Sequence, residues 1–209
     1  MDGFGRSMSM RRWEKEEGMR RYRFYGVALG ALVLILGAGS YAVAGSSSTS
    51  FSGSPLNGYE ENPDVSTAAG GLFRLGLSAD GKTLSYALTY SGLEGTVQQA
   101  HIHFGKRAIN GGISIYLCAN GTFRTGQRAD LPECPQAGTV TDDVDMTAVI
   151  GPIAQGIEAG NLEELLAAMR IGHTYANVHS TKWPGGEIRA QIAGSGFRVG
   201  SFPRGGEGG

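Results

Sequence analysis

Three histidines carry the chemistry this chain can offer: His101 and His103, one residue apart, and His179, much later. Neutral imidazole is a good ligand for copper, zinc, iron or nickel. Three of them gathered together could hold one ion. The run Ala100-His101-Ile102-His103-Phe104 alternates polar and apolar. On a β-strand, alternate side chains share a face, so His101 and His103 face the same way and Ala100, Ile102 and Phe104 face the core. Tyr175-Ala176-Asn177-Val178-His179 alternates likewise, with Ala176 and Val178 inward. In Glu187 to Ile192, Ile188, Ala190 and Ile192 point in, and Glu187, Arg189 and Gln191 point out.

If these three strands adjoin, Gln99, His101, His103, Tyr175, Asn177, His179, Glu187 and Arg189 form one outward polar patch, at the surface or in a groove. Two readings of it stand side by side. In one, His101, His103 and His179 ligate copper or zinc, and Asn177, Glu187 and Arg189 flank and orient them. In the other, the histidines are a hydrogen-bonded scaffold without metal. Arg189 opposes a bound cation unless Glu187 or another carboxylate pairs with it. The fourth histidine, His173, follows a helix and is expected to meet its C-terminal carbonyls. No residue set reads as catalytic.

The elements that must position these residues are mostly short strands. Leu84, Tyr86, Leu88 and Tyr90 alternate with Thr83, Ser85, Ala87 and Thr89. Asp80-Gly81 supplies a hairpin turn before them, and Gly71 to Leu77 forms the strand preceding it. Val97 to Phe104 is the histidine strand, Ile113 to Leu117 another, and Val140 to Val149 resumes an extended pattern. One helix stands out. Asn161 is a good N-cap with Glu164 three residues on; Leu162, Leu165, Leu166 and Met169 make an apolar stripe; Gly172 ends it. The fold class is mainly β: an antiparallel sandwich or barrel, immunoglobulin-like or superoxide-dismutase-like, with one short helix.

The 209 residues divide unevenly. A basic segment, the apolar run Gly26 to Gly39 and the site Ala42-Val43-Ala44 make residues 1–44 a secretory signal peptide; extended to Ala44, the same run serves as an N-terminal membrane anchor. Met19-Arg20-Arg21-Tyr22-Arg23 offers a second, more usual basic start. Residues 45–54, rich in Ser and Gly, read as a linker. The folded domain spans 55–193, and 194–209 is a Gly-rich tail read as disordered. Of 18 basic and 19 acidic residues, 7 and 4 precede Gly45, which leaves the exported part at a formal −4. No basic stripe remains for a nucleic-acid partner. Cys118 and Cys134 both fall in that part, where disulfides persist, and are expected to pair around an irregular excursion.

Five blocks, in order, resemble the CHRD (chordin-type) domain: Leu56-Asn57-Gly58-Tyr59-Glu60-Glu61-Asn62-Pro63, Ala100-His101-Ile102-His103, Asn110-Gly111-Gly112, Tyr175-Ala176-Asn177-Val178-His179-Ser180 and Pro184-Gly185-Gly186-Glu187-Ile188-Arg189. The resemblance covers Leu56 to Ile192, except the Cys118–Cys134 excursion, which is longer than that family's usual loop. It implies an all-β extracellular module of the bacterial or archaeal secreted kind, and no chemistry. Its partner is then an extracellular protein or envelope component, with the membrane met only through the N-terminal segment if uncleaved. Copper-zinc superoxide dismutase is similar in having a His-x-His strand, a later strand histidine and an arginine near its copper. Here those are His101, His103, His179 and Arg189. A fourth copper histidine, unless it is His173, a bridging histidine and a zinc loop are not matched.

Overall fold

The computed structural model describes residues 49–194. The signal or anchor assigned to 1–44 and the tail at 195–209 lie outside the described residues.

Eight antiparallel strands form one sheet: β1 (Ser50–Asn57), β2 (Gly70–Leu77), β3 (Leu84–Ser91), β4 (Val97–Phe104), β5 (Ile113–Ala119), β6 (Gly138–Val144), β7 (Thr174–Ser180) and β8 (Ile188–Gly194). Their order is β5-β4-β7-β8-β1-β2-β3-β6. The sheet curls into a nearly closed barrel around Leu56, Phe73, Leu84, Leu88, Ala100, Ile102, Ile115, Val178 and Ile188, all fully buried. Tyr86 of β3 reaches through this interior, its hydroxyl donating to the Leu117 carbonyl of β5 at 2.5 Å. The bond ties β5, at one end of the strand order, to β3, next to the other end.

The alternation read in Leu84 to Tyr90 is borne out: those four side chains are buried and their neighbours are not. The turn before it closes as expected. Gly81 takes φ +74°, and Ser78 Oγ accepts from Thr83 N at 2.9 Å. Helix α1 (Leu162–Arg170) begins where Asn161 Oδ1 accepts from Glu164 N at 3.1 Å. It buries Leu162, Leu165, Leu166 and Met169, each worth about 1.5–3 kcal/mol relative to exposure. Gly172, at φ +72°, ends it. His173 closes the helix through its backbone, its N–H donating to Ala168 O at 2.9 Å, and not through the imidazole.

Three boundaries differ from expectation. The second half of the Ser/Gly run expected as linker to Ser54 is strand: β1 starts at Ser50, pairing with β2 on one side and β8 on the other. Phe51 is the buried anchor. Gly53 is small because a Cβ there would sit 3.3 Å from that of Ala190. Composition suggested flexibility where close packing requires small residues. Gly194, assigned to the tail, is likewise the buried last residue of β8. The extended run read to Val149 stops at Val144, because Asp145 Oδ1 accepts from Thr147 N and caps a short 3-10 turn, Met146–Ala148.

Cys118 and Cys134 form a disulfide across the excursion. The Asn120 carboxamide also spans its base, donating to Val97 O and Cys134 O and accepting from Cys134 N.

Candidate functional site

Strands β4, β7 and β8 lie side by side. Their register makes two rows, His103–Tyr175–Gln191 and His101–Asn177–Arg189, with Gln99 opposite His179. Strand parity therefore sets all three histidines on the sheet face away from Ala100, Ile102, Ala176 and Val178. That face is not a surface patch or an open groove, as the sequence led one to expect. His101, His103 and His179 are 1%, 8% and 6% exposed, and β7 is buried along its whole length. Three loops roof the face: the segment after β1, the β4–β5 loop and the β7–β8 turn. Asn62 Nδ2 donates to Ala108 O, and Asn110 Nδ2 donates to Asn62 O, lacing the first two together. Arg107 pairs with Glu60 outside them.

Under this roof the imidazoles converge. One nitrogen from each lies within 4.8 Å of the other two. Partners on the far sides of the rings assign the hydrogens. His103 Nδ1 is 2.9 Å from Gly111 O, and His179 Nδ1 is 2.9 Å from Pro184 O. A carbonyl only accepts, so both Nδ1 atoms carry hydrogen and both Nε2 atoms present bare lone pairs. His101 Nδ1 lies 3.2 Å from His179 Nε2, and its Nε2 lies 3.1 Å from Gln99 Oε1. When His101 donates through Nε2 to Gln99, its Nδ1 is bare as well. His103 Nε2 is buried with no hydrogen-bond partner.

Burial governs the protonation of this cluster. Removal from water, and then the neighbouring rings, push His101 down to about 2. Burial lowers His103 to about 4, against the Gly111 hydrogen bond, with His179 and Arg189 adding to the fall. His179 is lowered by burial, opposed by Pro184. The cluster is neutral at physiological pH, the state in which imidazoles ligate.

The flanking residues divide. Arg189 belongs to the site: its Cζ lies 3.3 Å from the centre of the Tyr175 ring, against which His103 stacks in parallel at 4.7 Å. Its guanidinium donates to Lys106 O and Ile109 O at 3.2 and 3.0 Å, holding the β4–β5 loop down. Asn177 also belongs: its carboxamide end lies 3.1 Å from His179 Nε2, and that bare acceptor takes the amide NH2. Glu187 does not face the histidines. Its carboxylate accepts from Thr67 Oγ1, Glu94 N and Ser180 Oγ at 2.9, 2.8 and 2.5 Å. Three strong donors beyond the end of the row claim it. His173 is exposed and outside the cluster.

The carboxylate beside Arg189 and Asn177 is Glu61. It is 7% exposed, and burial raises it to about 7, opposed by the Arg189 charge and a hydrogen bond from Asn177. A Cβ on Gly186 would meet its Oε1 at 2.5 Å, so Gly186 makes room for it. Glu61 comes from the roof, not the sheet, and strand parity carries no signal for it. Its place beside Asn62-Pro63 in a turn motif was the nearest hint.

No curated protein and no solved structure matches this chain. The CHRD domain family model matches residues 53–192, a span that runs from within β1 to within β8 and includes all three histidines, Arg189 and both cysteines. The match takes in the sheet, the roof over its polar face and the disulfide-linked excursion, and by it the chain belongs to the CHRD domain family.

Proposed function

We propose that this chain is an exported CHRD module whose role outside the cytoplasm is binding or structural, not catalytic. The closure of its polar face carries this reading. The residues with the richest chemistry are almost wholly buried, and all of their ring nitrogens except His103 Nε2 are engaged by Gly111, Pro184, Gln99 and one another. A substrate would have to lift the roof to reach them. The Cys118–Cys134 disulfide supports an oxidising compartment. Among the described residues, no helix is long and apolar enough to cross a membrane.

Exposed apolar side chains on hydrogen-bonded loops support the binding role. Tyr59, Ile109, Ile150, Ile153 and Ile171 are exposed large apolar side chains. They sit on four loops joined by hydrogen bonds: Asn62 to Ala108, Gly112 N to Gln155 Oε1, and Gly105 N to His173 O. Exposed apolar groups gathered in this way suit contact with another macromolecule, here an extracellular protein or envelope component.

Fractionation of cells expressing the full chain tests the reading. The expected result is an exported protein, beginning at Gly45 or anchored by the uncleaved segment, with Cys118 and Cys134 oxidised. Recovery from the cytoplasm with both thiols free overturns it. For the binding role, Ile153→Asp and Tyr59→Ala should reduce retention on the envelope fraction while leaving the thermal midpoint unchanged.

A further inference from the structure

The histidine cluster holds more lone pairs than the protein satisfies. His103 Nε2 and His179 Nε2 are bare because their Nδ1 hydrogens are committed to Gly111 O and Pro184 O. His103 Nε2 has no hydrogen-bond partner although it is buried. Leaving a buried acceptor unmet costs about 1–3 kcal/mol. The structural network uses the Nδ1–H of His103, which holds Gly111 O, and leaves its Nε2 without a role.

A metal ion accounts for the arrangement. We propose that His101 Nδ1, His103 Nε2 and His179 Nε2 together ligate one copper or zinc ion beneath the roof. Each ligand ring already has the outer partner that ligating histidines use to fix orientation: a backbone carbonyl for His103 and His179, and the Gln99 carboxamide for His101. Two nitrogens about 2.0–2.1 Å from one tetrahedral ion stand about 3.3 Å apart. His101 Nδ1 and His179 Nε2, at 3.2 Å, hold that spacing. His103, whose ligand atom lies within 4.8 Å of the other two, must close in. An all-imidazole set selects copper or zinc over calcium or magnesium, which require oxygen.

One carboxylate offsets part of the local positive charge. Arg189 is the opposing cation, and Glu61 is the carboxylate beside it. Glu187, bound to Thr67, Glu94 and Ser180, is not available for this. The ion would bridge β4 and β7 beneath the roof, cross-linking the two strands that carry its ligands.

The test is metal analysis and X-ray absorption on the full chain, refolded with zinc chloride or copper(II) sulfate and then desalted. The expected result is one ion per chain, with three imidazole nitrogens at about 2.0–2.1 Å, and copper held more tightly than zinc. His103→Gln and His179→Gln should each lower affinity at least 100-fold, and His173→Gln should change nothing. Wild-type protein that retains no stoichiometric metal overturns the proposal without reference to any variant. So does a spectrum with fewer than three imidazoles, or metal lost on His173→Gln.

Discussion

His101 Nδ1 lies 3.2 Å from His179 Nε2 across the β4–β7 ladder. The two residues are diagonal neighbours, since His101 pairs with Asn177 and Gln99 with His179. Two ring nitrogens at this distance share at most one hydrogen. With His179 Nδ1 committed to Pro184 O, any such hydrogen belongs to His101. The pair is a neutral donor and acceptor in the metal-free chain and two parallel lone pairs when Gln99 takes the His101 hydrogen.

Ring-nitrogen NMR of the metal-free full chain checks this assignment. His103 and His179 should both appear as Nδ1–H tautomers, the minority form in water, because Gly111 O and Pro184 O accept from them. Gly111→Ala is a poor control here, since its Cβ would lie 1.7 Å from Phe104 O. Nε2–H signals for His103 or His179 would remove the geometric basis of the site.

Glu61 links the roof to pH. Its folded value, about 7, lies above the ordinary carboxylate value of 4.5. A group raised on folding stabilises the native state fully below its unfolded value and loses that contribution as pH rises through its folded value. Between pH 4.5 and 7 the native state holds a proton the unfolded chain has released. The stability of wild type relative to Glu61→Gln should therefore fall by about 3 kcal/mol across this window. The comparison cancels the histidines, which titrate in both proteins, and leaves Asn177, Arg189 and Tyr175 as the groups facing position 61. Urea unfolding at pH 4.5, 6 and 8 measures it; parallel curves for the two proteins would place Glu61 in water.

The strands and the helix were legible because each buries one face against one core. Parity alone located His101, His103 and His179 on a common face, and Asn161 with Gly172 bounded α1 within a residue or two. The misreadings share a cause: each needed knowledge of a second layer. Ser50 to Ser54 looks like linker until β2 and β8 are seen on either side of it. The histidine face looks solvated until Glu61, Gly111 and Pro184 are folded over it. Glu187 has the right parity, yet Thr67, Glu94 and Ser180 capture it, and Glu61 arrives from a turn with no periodicity to mark it.

Arg189 should resist conservative replacement. It is 1% exposed, lies over Tyr175 and reaches two carbonyls of the β4–β5 loop at once. Lysine keeps the charge but not the planar fork. A hydrogen bond from a charged donor is worth about 1.5–3 kcal/mol, so Arg189→Lys should lower stability by about 2–4 kcal/mol. It should also speed amide exchange at Ile109 and Gly111. An unchanged urea midpoint would show that the loop is held by Asn62 and Asn110 instead.

The disulfide is expected to stabilise the domain without being required for the fold. Cys118 and Cys134 are separated by 16 residues in the chain, a loop whose closure is worth about 3 kcal/mol in the chain-entropy model. The base of the excursion has other ties that survive reduction. Asn120 bridges Val97 O and Cys134, the Tyr90 hydroxyl donates to Pro135 O at 2.8 Å, and Arg128 pairs with Asp142 of β6. The Cys118→Ala, Cys134→Ala double variant should therefore keep the wild-type circular dichroism spectrum and melt about 6–12 °C lower. Thiol titration of unreduced, denatured wild type should find no free thiol. A double variant that fails to fold would mean that Asn120, Tyr90 and Arg128 cannot hold the excursion by themselves; one that melts with wild type would mean that they hold it entirely.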